Sequence, residues 1–194
     1  MRNKIIVGVL VLSLAISLGF NLYLYSVMVN KQATINNMGG QIIYAWVGQM
    51  NLAAHYLENA TTNIDVEWVR WLFLTASDVA RSARISDGTL YSEMEITAAK
   101  VCEGLRTYGE GSPTFVRRIN ATAIAMFKNL AQKIQNTTEL ITGSEGPWLE
   151  LKHLNGVDPV QLLKERGILD QIINGCIDIQ DLSEEISDFN PKFQ

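Results

Sequence analysis

Near its start the chain carries a long stretch without charged punctuation. From Ile5 to Val29, IIVGVLVLSLAISLGFNLYLYSVMV, apolar residues occupy every face of a helix and no side chain is ionised. At about 1.5 Å rise per residue the run reaches roughly 37 Å, more than the ~30 Å of a bilayer's hydrocarbon. It predicts a membrane span. A secretory signal has an apolar region of about 7 to 15 residues and a small-x-small cleavage site. This run is longer, and LYLYSVMVNKQATI at its far end holds no such site. A helix in a soluble core needs only one apolar face. We therefore expect residues 1–30 to be an uncleaved anchor, with a tip at 1–4 and the span at 5–29. Lys and Arg flanking a span stay on the cytoplasmic side, so Arg2 and Lys4 against Lys31 place the amino terminus inside and residues 31–194 outside. Tyr23 and Tyr25 fall near the outer headgroups. Ala15 and Gly19, four apart, could let two spans approach, which makes a homodimer a candidate assembly.

Beyond the span the pattern becomes one apolar stripe per segment at helical spacing. INNMGGQIIYAWVGQMNLAAHYLENA carries Ile35, Met38, Ile42, Ala45 or Trp46, Gln49, Leu52, Ala53, Tyr56 and Leu57. Gly39 and Gly40 each cost a helix interior up to about 1 kcal/mol relative to Ala, so a bend or loose turn is expected there. A second span over this segment is disfavoured, because Gln41, Gln49, Asn51 and His55 would each need a partner in lipid. VEWVRWLFLTASDVARSAR, capped by Asn63 or Asp65, turns Val66, Val69, Leu72, Phe73, Ala76, Val79, Ala80 and Ala83 inward. After the breakers Asp87 and Gly88, LYSEMEITAAKVCEGLRTY does the same with Leu90, Met94, Thr97 or Ala98, Val101 and Leu105. Ser112 and Pro113 have the chemistry of a helix start, and the segment that follows carries Phe115, Ile119, Ala123, Met126 or Phe127, Leu130, Ile134 and Ile141. TGSEGPWLELKHLNGVD reads as an irregular connection. Asp158 and Pro159 open the short helix VQLLKERG, and ILDQIINGCIDIQDLSEEISDF follows, weakly broken at Gly175.

Together these segments predict an all-α protein: one N-terminal transmembrane helix followed by an up-and-down helical bundle of about four helices plus a short helix. Residues 31–194 are enough for one domain with a proper core. A net charge of −4 with no basic stripe argues against nucleic acid as a partner. No fixed-period repeat or sustained heptad is present, which sets aside a solenoid and a long coiled coil.

Candidate chemistry is sparse. Cys102 and Cys176 fall on different helices, where they form either a disulfide, which an outside location permits, or two buried thiols acting as small apolar groups. Asn59, Asn120 and Asn136 each begin an Asn-x-Thr glycosylation pattern; Asn59, at a helix end, is the most accessible, and the other two lie within a helix. Arg70, Arg81 and Arg84 on one helix and Arg117 and Arg118 on another could frame an anion site, since a guanidinium donates two parallel hydrogen bonds. The alternative is surface pairing with Glu67, Asp78 and Glu110. The acidic row Asp178, Asp181, Glu184 or Glu185, and Asp188 lacks the glycine turn of a calcium loop and reads as a solvated helix face. His55 and His153 share no ligand spacing with the cysteines, so no metal or cofactor site and no catalytic set is legible. Of the four tryptophans, Trp148, after Pro147, is the candidate for an exposed contact.

A single span leading into a helical bundle is similar in layout to the outer part of bacterial and archaeal four-helix sensor receptors. Those receptors return through the membrane to a signalling module, and this sequence ends at Gln194 with neither. The layout implies a noncatalytic interaction or ligand-sensing module outside the cell membrane that relies on a protein partner. An accessory or structural subunit of a membrane complex is the alternative, and an enzyme comes last.

Overall fold

The computed structural model describes residues 2–83, 88–110 and 119–189, with side chains from Ser13 onward. The described residues are all-helical, without a strand: α1 (Arg2–Glu58), α2 (Asn63–Arg81), α3 (Thr89–Gly104), a 3-10 turn at Arg106–Tyr108, α4 (Ala121–Thr142), α5 (Trp148–Lys152), α6 (Pro159–Glu165) and α7 (Leu169–Asp188).

The first helix is unbroken through Gly39 and Gly40, where the sequence led us to expect a bend. The reason is close packing. A Cβ on Gly39 would lie 2.6 Å from the Tyr91 hydroxyl, and one on Gly40 would lie 2.6 Å from the Leu151 carbonyl and collide with the Leu154 side chain. The two glycines form a notch that admits neighbouring segments to the helix backbone, and that packing outweighs their poor helix propensity. Next to the notch, Asn36 Nδ2 donates to the Gly156 carbonyl (2.8 Å), and the Gly156 amide donates to Asn37 Oδ1 (2.8 Å). Two adjacent side chains thus satisfy both backbone groups of a residue whose φ of 89° requires glycine. The notch also fixes which side of α1 is buried. Ile43, Trp46, Val47, Met50, Ala53, Ala54 and Leu57 go inward, while Ile35, Met38, Leu52 and Tyr56, expected on the inner stripe, are exposed.

Away from the notch the expected inner faces hold. Val66, Val69, Leu72, Phe73, Ala76 and Ala80 of α2 are buried, as are Leu90, Met94, Ala98 and Val101 of α3 and Phe127, Leu130, Ile134 and Ile141 of α4. α4 begins at Ala121 under an Asn120 cap, whose Oδ1 accepts from the Ala123 amide at 2.9 Å. The Ser112–Pro113 start lies outside the described residues. Part of the expected irregular connection winds into α5, while α6 has the expected Asp158 cap and Pro159 at its start.

Packing joins α1 to α2 and α4, α2 to α3, α3 to α7, and α7 to α4. The last helix is therefore seated between α3 and α4. It is continuous through Gly175 because that residue lies against Thr137 of α4, where a Cβ would come within 2.7 Å of Cγ2. On the other side, Gly104 of α3 admits the Ser183 carbonyl of α7. Large aromatics fill the interior and place their polar atoms on backbone: Trp46 Nε1 donates to the Met94 carbonyl (3.1 Å), and the Tyr108 hydroxyl donates to the Ile186 carbonyl (3.2 Å). The Tyr108 ring meets Phe127 edge-on at 5.2 Å.

Candidate interaction face

The corner between α1 and α2 is set by a local device. Thr62 Oγ1 accepts from the Asp65 amide (3.2 Å), while Asp65 Oδ2 accepts from the amides of Thr62 (2.8 Å) and Thr61 (3.0 Å). This closed capping box satisfies donors that the helix start leaves free, and these hydrogen bonds hold the Asp65 carboxyl below the usual carboxylate range. With α2 started there and Val66, Val69 and Phe73 inward, residues offset from that stripe must face out. Ile64, Trp68 and Trp71 do so, with exposures of 65%, 54% and 57%. On α1, Leu52 and Tyr56 are more than two-fifths exposed, and Gly48 has open space where a Cβ would stand.

This face carries no net charge of its own. No Asp, Glu, Lys or Arg lies between Lys31 and Glu58. The exposed side chains of α2 from Ile64 through Thr75 are Ile64, Trp68, Trp71, Leu74 and Thr75. The nearest ionised groups of α2 turn elsewhere. Arg70 donates to Glu67 (2.6 Å) and, through Nε, to the Cys102 carbonyl on α3 (3.1 Å). Arg81 donates to Glu95 of α3 (2.9 Å) and lies 3.7 Å from Asp78.

Those contacts place two of the arginines considered for an anion site on carboxylates of this chain, separated along α2. Arg84, Arg117 and Arg118 lie outside the described residues. Both cysteines are free. Cys102 is half-buried beside Arg70, and burial raises its thiol pKa although the guanidinium opposes the shift. Cys176 is buried on α7, where desolvation pushes its pKa up to about 12; its carbonyl accepts from Thr97 of α3 (3.3 Å). Asn59, Asn120 and Asn136 are all exposed. Asn120 stands at a helix cap, not within the helix as expected, while Asn59 Nδ2 donates to the His55 carbonyl. Asn136 is mid-helix and accepts from Gln132.

Trp148 is not the exposed contact its sequence position suggested. It is partly buried against the core and stacks on Tyr44 with ring centroids 3.9 Å apart, while Lys152 sits 5.8 Å from the Tyr44 centroid. Trp68 and Trp71 hold the exposed role instead. A signal for them existed in the sequence, since both fall off the inner stripe of α2. The acidic row of α7 is a surface feature: Asp178 pairs with Lys133 (2.7 Å) and Glu184 with Lys100 (2.6 Å). Among the described residues no group of three or more His, Cys, Asp or Glu side chains is arranged to hold a metal. His55 rests edge-on against Tyr56.

The amino-terminal half of α1 is apolar and uncovered. Leu14, Ile16, Leu18, Phe20 and Leu22 are each more than three-fifths exposed. From Ser13 onward this helix meets the length and hydropathy of a membrane crossing, and none of its most apolar stretch is buried by the rest of the chain. That separates it from the core helix of a soluble domain. No family profile, curated protein or solved structure matches this chain.

Proposed function

We propose that this protein is a noncatalytic interaction module, anchored in the cell membrane by residues 5–29 and presenting residues 31–194 as a helical bundle on the outer side. The observation that carries the reading is the pair of half-exposed tryptophans, Trp68 and Trp71, on a face without ionised side chains. Exposed aromatic clusters of this kind are the usual centre of a binding surface. The uncovered apolar run of α1 supports the anchor, because lipid would remove it from water. Residue contacts support the bundle. Thr97 with Gln180, Lys100 with Glu184 and Tyr108 with Ile186 run α3 and α7 in one direction. Lys133 with Asp178 and Thr137 with Gly175 run α4 and α7 in opposite ones. On this reading α1, α3 and α7 point away from the membrane, α2 and α4 return, and the face lies on the half of the bundle far from the lipid. A stable partner would make the protein an accessory or structural subunit of a membrane complex.

The test combines topology with capture in intact cells. The full chain should fractionate with membranes, its carboxyl end should be open to added protease, and a photo-crosslinking residue at Trp71 should trap one defined protein that the same residue at Asn129 on α4 does not. Recovery from the soluble fraction, protection of the carboxyl end, or equal trapping at both positions would refute the proposal.

A further inference from the structure

We infer that the partner on the α1–α2 face is a second copy of this chain, packed in parallel about a two-fold axis running along α1. The inference rests on the anchored-module reading above and names its partner.

Charge is the first argument. A two-fold contact sets each surface against itself, so an ionised group near the axis meets its like. The exposed side chains of α2 from Ile64 to Thr75 and the whole of α1 between Lys31 and Glu58 contain no Asp, Glu, Lys or Arg. A surface meant for a charged partner would carry complementary charge, whereas this one is suited to its own copy.

The second argument is backbone approach. Among the described glycines of α1, Gly39 and Gly40 back onto the domain, while Gly19 and Gly48 have nothing within 4 Å of an added Cβ. At 3.6 residues per turn these two are separated by about eight whole turns. They therefore lie on the same side of one continuous helix, one in the span and one on the domain. Small residues let helix backbones approach closely in lipid, and this arrangement permits that approach at two levels on one side of the helix, either side of the Gly156 segment clasped by Asn37.

Size is the third. The exposed α1–α2 face runs about 20 Å along the helices and, at 8–10 Å per helix, about 20 Å across, or roughly 400 Å². A stable complex commonly buries about 800 Å² per partner, so contact through the domain alone falls short. The same side of α1 continues through the span for about another 37 Å. Only a partner with a span in the same membrane, in the same orientation, can use both parts. A second copy meets that condition by construction. The host bilayer itself is too far away: Leu52 stands about 33 Å along α1 from Asn30.

The experiment uses the full chain in membranes, with Cys102→Ser, buried Cys176 left in place, and one added cysteine at Ala45 or Leu52 on the face, or at Asn129 on α4 as control. Brief oxidation should give disulfide-linked homodimers at Ala45→Cys and Leu52→Cys but not at Asn129→Cys. Adding Trp68→Lys, or separately Gly48→Leu, should abolish the Leu52 crosslink without unfolding the domain, since both positions face outward. Equal crosslinking at all three sites, no crosslinking at any, or persistence in the Trp68→Lys and Gly48→Leu chains would overturn the inference. If no homodimer forms while a photo-crosslinker at Trp71 traps a different membrane protein, the second copy is excluded and the interaction module stands. If neither product forms, both readings fall.

Discussion

At the residue scale, glycines with the same parent chemistry do opposite jobs on one helix. Gly40 lies against the Leu151 carbonyl, a backbone atom that cannot rotate away, whereas Gly48 faces open space. Gly40→Ala should therefore lower stability by about 1–3 kcal/mol through overpacking. Gly48→Ala should raise it by about 0.5–1 kcal/mol through helix propensity. Urea unfolding of the full chain in micelles, followed by circular dichroism, would give both values; equal effects would mean that the notch is not a close contact. Asp65 provides a pH test. Its folded pKa is depressed by the capping-box hydrogen bonds, so its contribution is complete above its unfolded pKa of about 4 and is lost as pH falls through the lower folded value. Asp65→Asn should accordingly lower the melting temperature at neutral pH, and its difference from wild type should shrink to nothing in strong acid. A difference that persists there would show that the carboxylate charge is not what the box uses.

At the element scale, what could be read from the sequence depended on where charge marks an outside. On α2, α3 and α4 most arginines, glutamates and lysines lie off the apolar stripe, Glu95 being buried against Arg81, and the inner faces read from spacing are the buried ones. Between Ile35 and Leu57 no such marks exist, so apolar residues offer more than one stripe. The notch at Gly39 and Gly40 decides between them through close approach, a tertiary fact with no local pattern. That choice exposed Leu52 and Tyr56 and so made half of the candidate face. Gly175 was misread as a weak break for the same reason, because its role is contact with Thr137. The seating of α7 between α3 and α4 has no sequence signature either, and it decides the state of the cysteines. Cys102 belongs to the α2–α3 contact through the Arg70 bond, and Cys176 to the contacts of α7. Denatured without reductant, the chain should take up two equivalents of an alkylating reagent. In the native state at neutral pH, Cys176 should stay unlabelled, since burial keeps its thiol protonated up to about 12 and only the thiolate reacts. A chain that labels at neither site after denaturation would carry the disulfide instead.

At the scale of the whole molecule, α1, 57 residues without a break, is about 85 Å long at 1.5 Å per residue, and it makes the domain's disposition a question of one continuous helix. The clasp of Asn36 and Asn37 on Gly156 fixes the base of the domain to this helix about seven to nine residues beyond Met28 and Val29, so the domain cannot swing freely on a linker. If residues 5–29 cross the bilayer, every tryptophan of the chain stands clear of the hydrocarbon. Trp46 lies about 24 Å along α1 from Asn30, and Trp148, stacked on Tyr44, is held at nearly the same level. Trp68 and Trp71 flank the far turn. Reconstituted into vesicles of brominated lipid, the full chain should keep its tryptophan emission. In chains kept monomeric by Gly48→Leu, acrylamide in the aqueous phase should quench the exposed Trp68 and Trp71 and spare buried Trp46, so replacing both exposed residues by Phe should remove most of the acrylamide-sensitive signal. Quenching from the lipid side would mean that the domain lies down on the membrane, in which case its aromatic face would be a lipid contact and not a surface for a protein.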